Sequence, residues 1–180
     1  MKALVVYESI FGNTRRIAEA IGAGLRAYGE VRVLEVSMAP ARADGLDLLV
    51  VGGPTHAWGM SRASTRAGAR EQAEAKRMEP PSPSVGVREW LSALFGGRGI
   101  PAVAFDTAIK TTWSPTGSAA RQIARRLGAA GFRVDVPATQ FLVSDTDGPL
   151  LEGEIERARV WAEGLAVDLG LAAEEPARAR

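Results

Sequence analysis

The stretch VVYESIFGNTRRIAEAI, residues 5–21, decides the fold because it joins two kinds of sequence periodicity through a short polar turn. The apolar run that ends at Tyr7 predicts a buried strand. The spacing of Ile17, Ile21 and Leu25 predicts an amphipathic helix. A strand, a tight turn and a helix in this order are typical of the first unit of an open α/β sheet.

Runs of the same two kinds continue along the chain. Apolar runs without alternation predict buried strands at 3–7, 48–52, 101–105 and 141–143. Alternating runs predict partly exposed strands at 31–36 and 132–136. Amphipathic spacing predicts helices after Thr14, over 88–97, after Gly117, and near the end, on a stripe of Ile155, Ala158, Ala162, Leu165 and Leu169. Strand and helix therefore alternate, which predicts a single doubly wound parallel sheet in three α/β/α layers.

The size of the chain supports one domain. With 180 residues, 46% of them hydrophobic, it can bury a substantial core, and we place the domain at residues 1–172. A polar, proline-containing excursion at 61–87 interrupts the pattern and is interpreted either as solvated surface or as a lid over a nearby pocket. Residues 173–180 lack an apolar stripe and are predicted to be a disordered tail.

Composition excludes several classes of partner and site. A formal net charge of +1 does not indicate a nucleic-acid or anionic-membrane partner. The absence of cysteine excludes disulfides, thiolate catalysis and cysteine-ligated metals, and one histidine excludes a histidine-rich metal site. The apolar run before Glu8 is too short for a secretion signal, and no apolar stretch reaches the ~18 residues of a membrane span. We therefore expect a soluble, cytoplasmic protein without a metal.

The candidate binding loops follow the strands, because ligands of open α/β sheets lie beyond the strands' carboxyl ends. These loops are 8–14, 53–61 and 106–118. In the first, Ser9, Asn13, Thr14 and the backbone N–H groups at the helix start form a set of donors suited to phosphate, and Gly12 allows close approach. The alternative is an ordinary helix cap. The chain lacks the G-x-x-x-x-G-K-[ST] and G-x-G-x-x-G motifs, and serine replaces the cysteine of a phosphatase loop.

Two of these loops carry a family resemblance. SIFGNT at 9–14 resembles the [ST]-x-[ST]-G-N-T phosphate loop of the flavodoxin family, and AWGM at 57–60 resembles its T-W-G-D segment. Phe11 departs from the hydroxyl residue of that pattern. The resemblance extends over nearly the whole chain and implies a five-stranded sheet in the order 2-1-3-4-5 with bound FMN. It implies phosphate contacts from Ser9, Ile10, Phe11, Gly12, Asn13 and Thr14.

The flavin ring that the resemblance implies requires flat apolar walls, for which Trp58 and Trp113 are the candidates; the alternative is that either is a core residue. The resemblance also implies that the Gly59 carbonyl accepts a hydrogen bond from reduced flavin N5. His56 is a candidate for coupling proton uptake to reduction, or is simply a polar contact. The other cofactor candidates in these loops are Pro54, Thr55, Ala57, Asp106, Thr107 and Gly117. No catalytic side chain is predicted, because the redox centre would be the flavin.

Three functions remain open at this stage. An FMN-dependent electron carrier would serve a redox partner protein. An FMN-dependent NAD(P)H:acceptor reductase of the quinone type would pass electrons to a small molecule. A non-flavin interaction module would leave both resembling segments unexplained. The near-neutral charge is unlike the acidic carriers of the family, and no second nucleotide motif supports the reductase. We expect the carrier, keep the reductase as the alternative, and leave open whether the protein is an enzyme.

Overall fold

A computed structural model describes residues 1–56, 59–75, 85–110 and 117–171. The strands are β1 (Lys2–Tyr7), β2 (Glu30–Glu35), β3 (Leu48–His56), β4 (Gly59–Met60), β5 (Ala102–Ile109) and β6 (Thr139–Val143). The helices are α1 (Asn13–Leu25), α2 (Ala63–Ala75), α3 (Val87–Ala93), α4 (Ala119–Ala129) and α5 (Glu154–Asp168). Short 3₁₀ turns at Arg26–Tyr28 and Val36–Met38 follow α1 and β2. No helix within the described ranges is long and apolar enough to cross a membrane.

Five strands form one parallel sheet in the order β2-β1-β3-β5-β6. The two-residue β4 folds back onto the end of β3 as an antiparallel partner. Counted without β4, this is the order 2-1-3-4-5, so the predicted fold is confirmed. The order reverses at β1 and β3, and ligands of such sheets bind at this switch point.

Two apolar cores cover the two faces of the sheet. In β1, Ala3 and Val5 belong to the core beneath α1 and α5, whereas Leu4 and Val6 belong to the core beneath α3 and α4. All four side chains are at most 3% exposed. Both faces of the strand are therefore dry, which explains why its sequence is apolar throughout instead of alternating.

The helices bury most of the predicted stripes; Leu169, predicted on the stripe of α5, follows the end of that helix and is only partly buried. Ile17, Ile21 and Leu25 of α1 are fully buried. Helix α1 approaches α5 so closely at Gly24 that a Cβ there would collide with the backbone of Arg159. Ile155, predicted to share the apolar stripe of α5, is 37% exposed. The prediction for Ile155 is wrong because Glu154 takes the buried position at the start of α5, where its carboxylate accepts a hydrogen bond from Leu142 N at 2.7 Å.

The strands β3 and β5 are longer than predicted, and this moves several site residues out of loops. β3 continues to His56 and β5 continues to Ile109. The two extensions pair with each other, Gly53 opposite Asp106 and Pro54 opposite Thr107. The polar extensions are stabilised as strands by this pairing, which the apolar pattern of a single strand does not reveal.

The predicted strand at 132–136 is wrong. Within it, Arg133 forms an isolated bridge with Pro101, in which the Arg133 carbonyl accepts a hydrogen bond from Ala102 N at 2.8 Å. Pro137 has no N–H to continue a ladder. Pairing to β5 begins only with β6.

Two segments in the middle of the chain also differ from expectation. Helix α2 occupies half of the excursion at 61–87 and buries Arg66, Ala69 and Ala73. Residues 76–84 lie outside the described residues, so the lid remains a hypothesis. The helix predicted over 88–97 ends at Ala93, because the next residues extend and pair with the chain after β2.

Candidate functional site

The turn between β1 and α1 presents backbone donors that have no acceptor. We call residues 9–14 the first turn. Its N–H groups from Ile10 to Thr14 take part in no hydrogen bond within the described part of the chain. Gly12 adopts a left-handed conformation with φ of 82°, and no heavy atom lies within 4 Å of the place where its Cβ would be. Unpaired N–H groups at the start of a helix attract an anion, because the helix dipole adds to their own.

Side chains from other elements hold the first turn in place. The hydroxyls of Thr14 and Thr107 are 2.7 Å apart and buried, and the amide of Asn13 donates to the Asp147 carbonyl at 3.0 Å. Whichever threonine donates to the other, one hydroxyl proton of the pair remains available for a ligand. Asn13 therefore fastens the first turn to the loop after β6, a contact that its sequence position does not predict.

A cavity of about 180 Å³ opens beside the first turn. Besides the turn, it is lined by Pro54, Thr55 and His56 of β3 and by Thr107 and Ile109 of β5. None of its described lining residues is acidic, lysine or arginine. We call it the neutral cavity. It therefore brings together residues predicted from all three loops. The sequence analysis missed Ala108, Ile109, Val143 and Thr146, which also line this cavity.

Asp106 has a different place from the one predicted. It is fully buried and does not line the neutral cavity. Its Oδ2 accepts hydrogen bonds from Thr55 Oγ1 at 2.9 Å, Ser118 Oγ at 2.7 Å and Ala120 N at 2.9 Å. A carboxylate at the N-terminus of a helix offsets the helix dipole. The side chain of Asp106 thus joins β3 to the start of α4, and Gly117, just ahead of that helix, lines neither of the cavities described here.

His56 stands at the boundary between two cavities. Burial lowers the pKa of its imidazole; the nearby Glu8 opposes this shift and Arg66 adds to it. Its Nε2 is buried and has no hydrogen-bond partner among the described residues. His56 therefore borders both cavities as an imidazole that is neutral at pH 7, with its unused Nε2 shielded from solvent.

The ring-side predictions are only partly placed. Gly59 lies in β4, where a Cβ would collide with the side chain of Gln122, and Gln122 Oε1 accepts a hydrogen bond from Met60 N at 3.1 Å. A side chain at 59 would therefore require the Gln122 side chain to move away from β4. Ala57, Trp58 and Trp113 lie outside the described residues, so the aromatic walls remain predictions.

A second cavity, of about 500 Å³, lies on the other side of His56. It is lined by four arginines from three helical regions, Arg62 at the start of α2, Arg88 of α3, and Arg125 and Arg126 of α4. We call it the arginine pocket. The sequence analysis missed it, because the arginines are separated by up to 64 residues (126 − 62) and no local motif connects them.

The family can be assigned from the sequence over most of the chain. The family model described as Flavodoxin matches residues 5–134. The chain belongs to the flavodoxin family. The match includes the first turn, β3 and β5, which are the elements that line the neutral cavity.

Solved flavodoxins have the same fold as this family member. The chain is 20% identical to a flavodoxin from the domain Archaea, with a TM-score of 0.63 and coverage of 94% of this chain and 99% of that one. It is 19% identical to the flavodoxin of Streptococcus pneumoniae TIGR4, with a TM-score of 0.64 and coverage of 93% and 99%. A WrbA-like flavodoxin from Agrobacterium tumefaciens is 18% identical, with a TM-score of 0.56 and coverage of 94% and 97%. No curated protein sequence matches the chain.

Flavodoxin membership supports a flavin-binding redox protein, and the first turn fits the phosphate end of such a cofactor. The unpaired N–H groups and the threonine hydroxyls provide neutral donors for a phosphate. Gly12 leaves open space beside these donors. Phe11 differs from the hydroxyl residue of the family motif. Its backbone N–H is available, but its side chain cannot donate.

Proposed function

We propose that this protein binds FMN with its phosphate on the first turn and mediates electron transfer through the flavin. The observation that carries the proposal is the run of N–H groups from Ile10 to Thr14 that have no acceptor within the described residues. Buried or partly buried N–H groups without partners are costly, so a structure that leaves several together is prepared for a ligand. A terminal phosphate supplies several acceptor oxygens at once.

The position of the neutral cavity supports a flavin extending from that phosphate. The cavity runs from the first turn along the carboxyl ends of β3 and β5, where ligands of this fold class bind. The flavin would supply the electron chemistry, whereas the protein would hold the phosphate and bring His56 toward the ring. Gly59 lines the arginine pocket and not the neutral cavity, so its contact with the ring remains a prediction. His56, neutral and without a partner on Nε2, would be available to exchange a proton there.

An FMN-dependent NAD(P)H:acceptor reductase is the second candidate function. The arginine pocket favours it, because NAD(P)H carries phosphates and this pocket adjoins His56. The interaction module without flavin is disfavoured, because it leaves the unpaired donors of the first turn without a role. A cytoplasmic location and a redox partner protein remain predictions.

FMN titration tests the primary proposal. The purified protein, followed by quenching of flavin fluorescence, should bind FMN at one equivalent and bind riboflavin at least about tenfold more weakly, because riboflavin lacks the phosphate. Equal affinity for the two ligands would remove the first turn from the site, and the absence of binding to either would reject the function.

Anaerobic reduction separates the two candidate activities. A carrier should be reduced slowly by NADPH and form a semiquinone during photoreduction, whereas a reductase should be bleached rapidly by one equivalent of NADPH, which delivers the two electrons that the flavin accepts. Rapid bleaching would therefore support the reductase and reject the electron carrier.

A further inference from the structure

We propose that the arginine pocket binds the phosphoryl groups of a small polyanionic organic phosphate, at a site separate from the first turn. Its four arginines come from the residue before α2, from α3 and from α4, and they line a concave space of about 500 Å³ that also borders β3 and β4. Ligand sites for small molecules commonly fall between about 300 and 1,000 Å³. The concave shape favours a small molecule over the extended backbone of a nucleic acid.

The pairing of arginines elsewhere in the chain shows what is unusual about the pocket. Arg15, Arg42, Arg133, Arg157 and Arg159 each form an ion pair with a carboxylate. In contrast, none of the four pocket arginines forms an ion pair with any residue that the structure describes. The described lining of the pocket contains no Asp or Glu. The pocket therefore concentrates positive charge that the protein itself does not neutralise.

Arg88 shows that this charge is held in place. Its guanidinium donates to the carbonyls of Ser61 at 3.0 Å and Met60 at 2.9 Å, so it cannot simply move into solvent. Burial lowers the pKa of Arg88, and the charges of Arg126 and Arg62 lower it further. The adjacent Glu89 opposes the shift, but its carboxylate pairs with Arg66 at 3.1 Å. Fixed cations that repel one another are stabilised when an anion binds between them.

The number of charges favours phosphoryl groups over a single carboxylate. One carboxylate would neutralise one of four guanidinium groups, whereas a pyrophosphate or a phosphate monoester carries two or more charges. Phosphoryl oxygens point in tetrahedral directions and can accept hydrogen bonds from arginines of all three helical regions. Guanidinium groups form paired hydrogen bonds with such oxygens.

The pocket differs from the first turn in chemistry and in position. The first turn offers backbone N–H groups, and the two cavities share only His56 among their described lining residues. A molecule held by its phosphoryl groups in the arginine pocket would have its other end near His56 and the flavin. That orientation rests on the proposed function, whereas binding to the pocket does not.

Calorimetric titration with pyrophosphate tests the site in the protein without added flavin, at low salt. The parent should bind pyrophosphate. Arg125→Gln and Arg62→Gln both change exposed side chains at the pocket. Each should weaken pyrophosphate binding by about tenfold, because each removes a charge-assisted contact. Arg121→Gln is the matched control, because Arg121 is an exposed arginine of α4 that does not line the pocket. The pyrophosphate affinity of this variant should stay within about twofold of that of the parent. Equal loss in the control, or no binding by the parent, would overturn the proposal.

Two further arms decide the ligand class and the independence of the site. Citrate binding as tightly as pyrophosphate would overturn the assignment to phosphoryl groups. FMN affinity should be the same in Arg125→Gln as in the parent; a parallel loss of FMN and pyrophosphate affinity would show that the pocket belongs to the flavin site. If FMN does not bind at all, the pyrophosphate titration still gives its own answer. Urea unfolding of each variant confirms that it is folded.

Discussion

The neutral cavity and the arginine pocket lie side by side at the same edge of the sheet but offer different kinds of donor. The neutral cavity uses backbone N–H groups and threonine hydroxyls, whereas the pocket uses four guanidinium groups. His56 lines both. The comparison shows two physical solutions to binding an anion within one domain.

The two solutions differ in what the empty protein must tolerate. Neutral dipoles at a helix start do not repel one another as like charges do, and they favour an anion at one defined point. Clustered arginines repel one another until an anion binds, and their attraction extends over about a Debye length. We therefore expect the donors at the helix start to fix the position of a bound anion. Anion binding by the clustered arginines should depend strongly on the salt concentration.

Asp106 connects the two regions. Its carboxylate accepts hydrogen bonds from Thr55, which lines the neutral cavity, and from Ala120 N at the start of α4. Helix α4 also carries Arg125 and Arg126 of the arginine pocket. Asp106 therefore links the wall of the neutral cavity to the helix that carries two arginines of the pocket.

Breaking this connection should have the largest effect. Asp106→Asn removes the charge at the start of α4 and replaces the carboxylate acceptor of three hydrogen bonds by a neutral amide oxygen, so we expect the free energy of unfolding to fall by about 2–3 kcal/mol. Urea unfolding measures it. Asp135→Asn is the control, because Asp135 forms an exposed pair with Arg133, and it should change stability by less than about 0.5 kcal/mol. Equal stability of the parent and Asp106→Asn would contradict the connecting role.

Salt sharpens the contrast between the cavities. Raising KCl from about 50 to 500 mM should weaken pyrophosphate binding by about tenfold, because several exposed charges are screened. FMN affinity should change by less than about threefold, because its phosphate is held by neutral donors. Both constants come from titrations of the same preparation. A similar salt dependence for the two ligands would show that the arginines also hold FMN.

A hydroxyl deletion should affect only the neutral cavity. Thr14→Val removes the hydroxyl that pairs with Thr107 at 2.7 Å, and FMN should bind about fivefold more weakly, corresponding to ~1 kcal/mol. Pyrophosphate affinity should not change. Thr139→Val makes the same change at the start of β6, away from both cavities, and serves as the control. Loss of pyrophosphate affinity in Thr14→Val would mean that the two sites are one.

The shared histidine should give the smallest effect. Burial lowers the pKa of His56 below its ordinary value of 6.5, so the folded state prefers the neutral imidazole. The associated stability is fully present above about pH 6.5 and is lost as the pH falls toward and through the folded pKa. In His56→Gln the decrease in unfolding free energy between pH 7.5 and 5.5 should be smaller than in the parent, as measured by urea unfolding. An identical decrease would show that a group other than His56 controls stability in this pH range.

Local sequence signals determined the fold and the first turn. Residues 5–21 specify a strand, a turn and a helix from adjacent positions, and the unbroken apolar run of β1 records that both faces of the sheet are covered. The glycine at 12 and the hydroxyl at 14 lie within three consecutive residues. Their grouping therefore needed no long-range contact to be recognised.

Tertiary structure alone decided the other features. Polar extensions of β3 and β5 became strands because they pair with each other, and Asp106 became a buried link because that pairing carries it beneath the start of α4. The arginine pocket exists only because α2, α3 and α4 meet beside β4. Hydrophobic periodicity reports which face of a segment is buried, but not which distant polar groups the packing brings together, since charges on separate helices interact through space and not along the sequence.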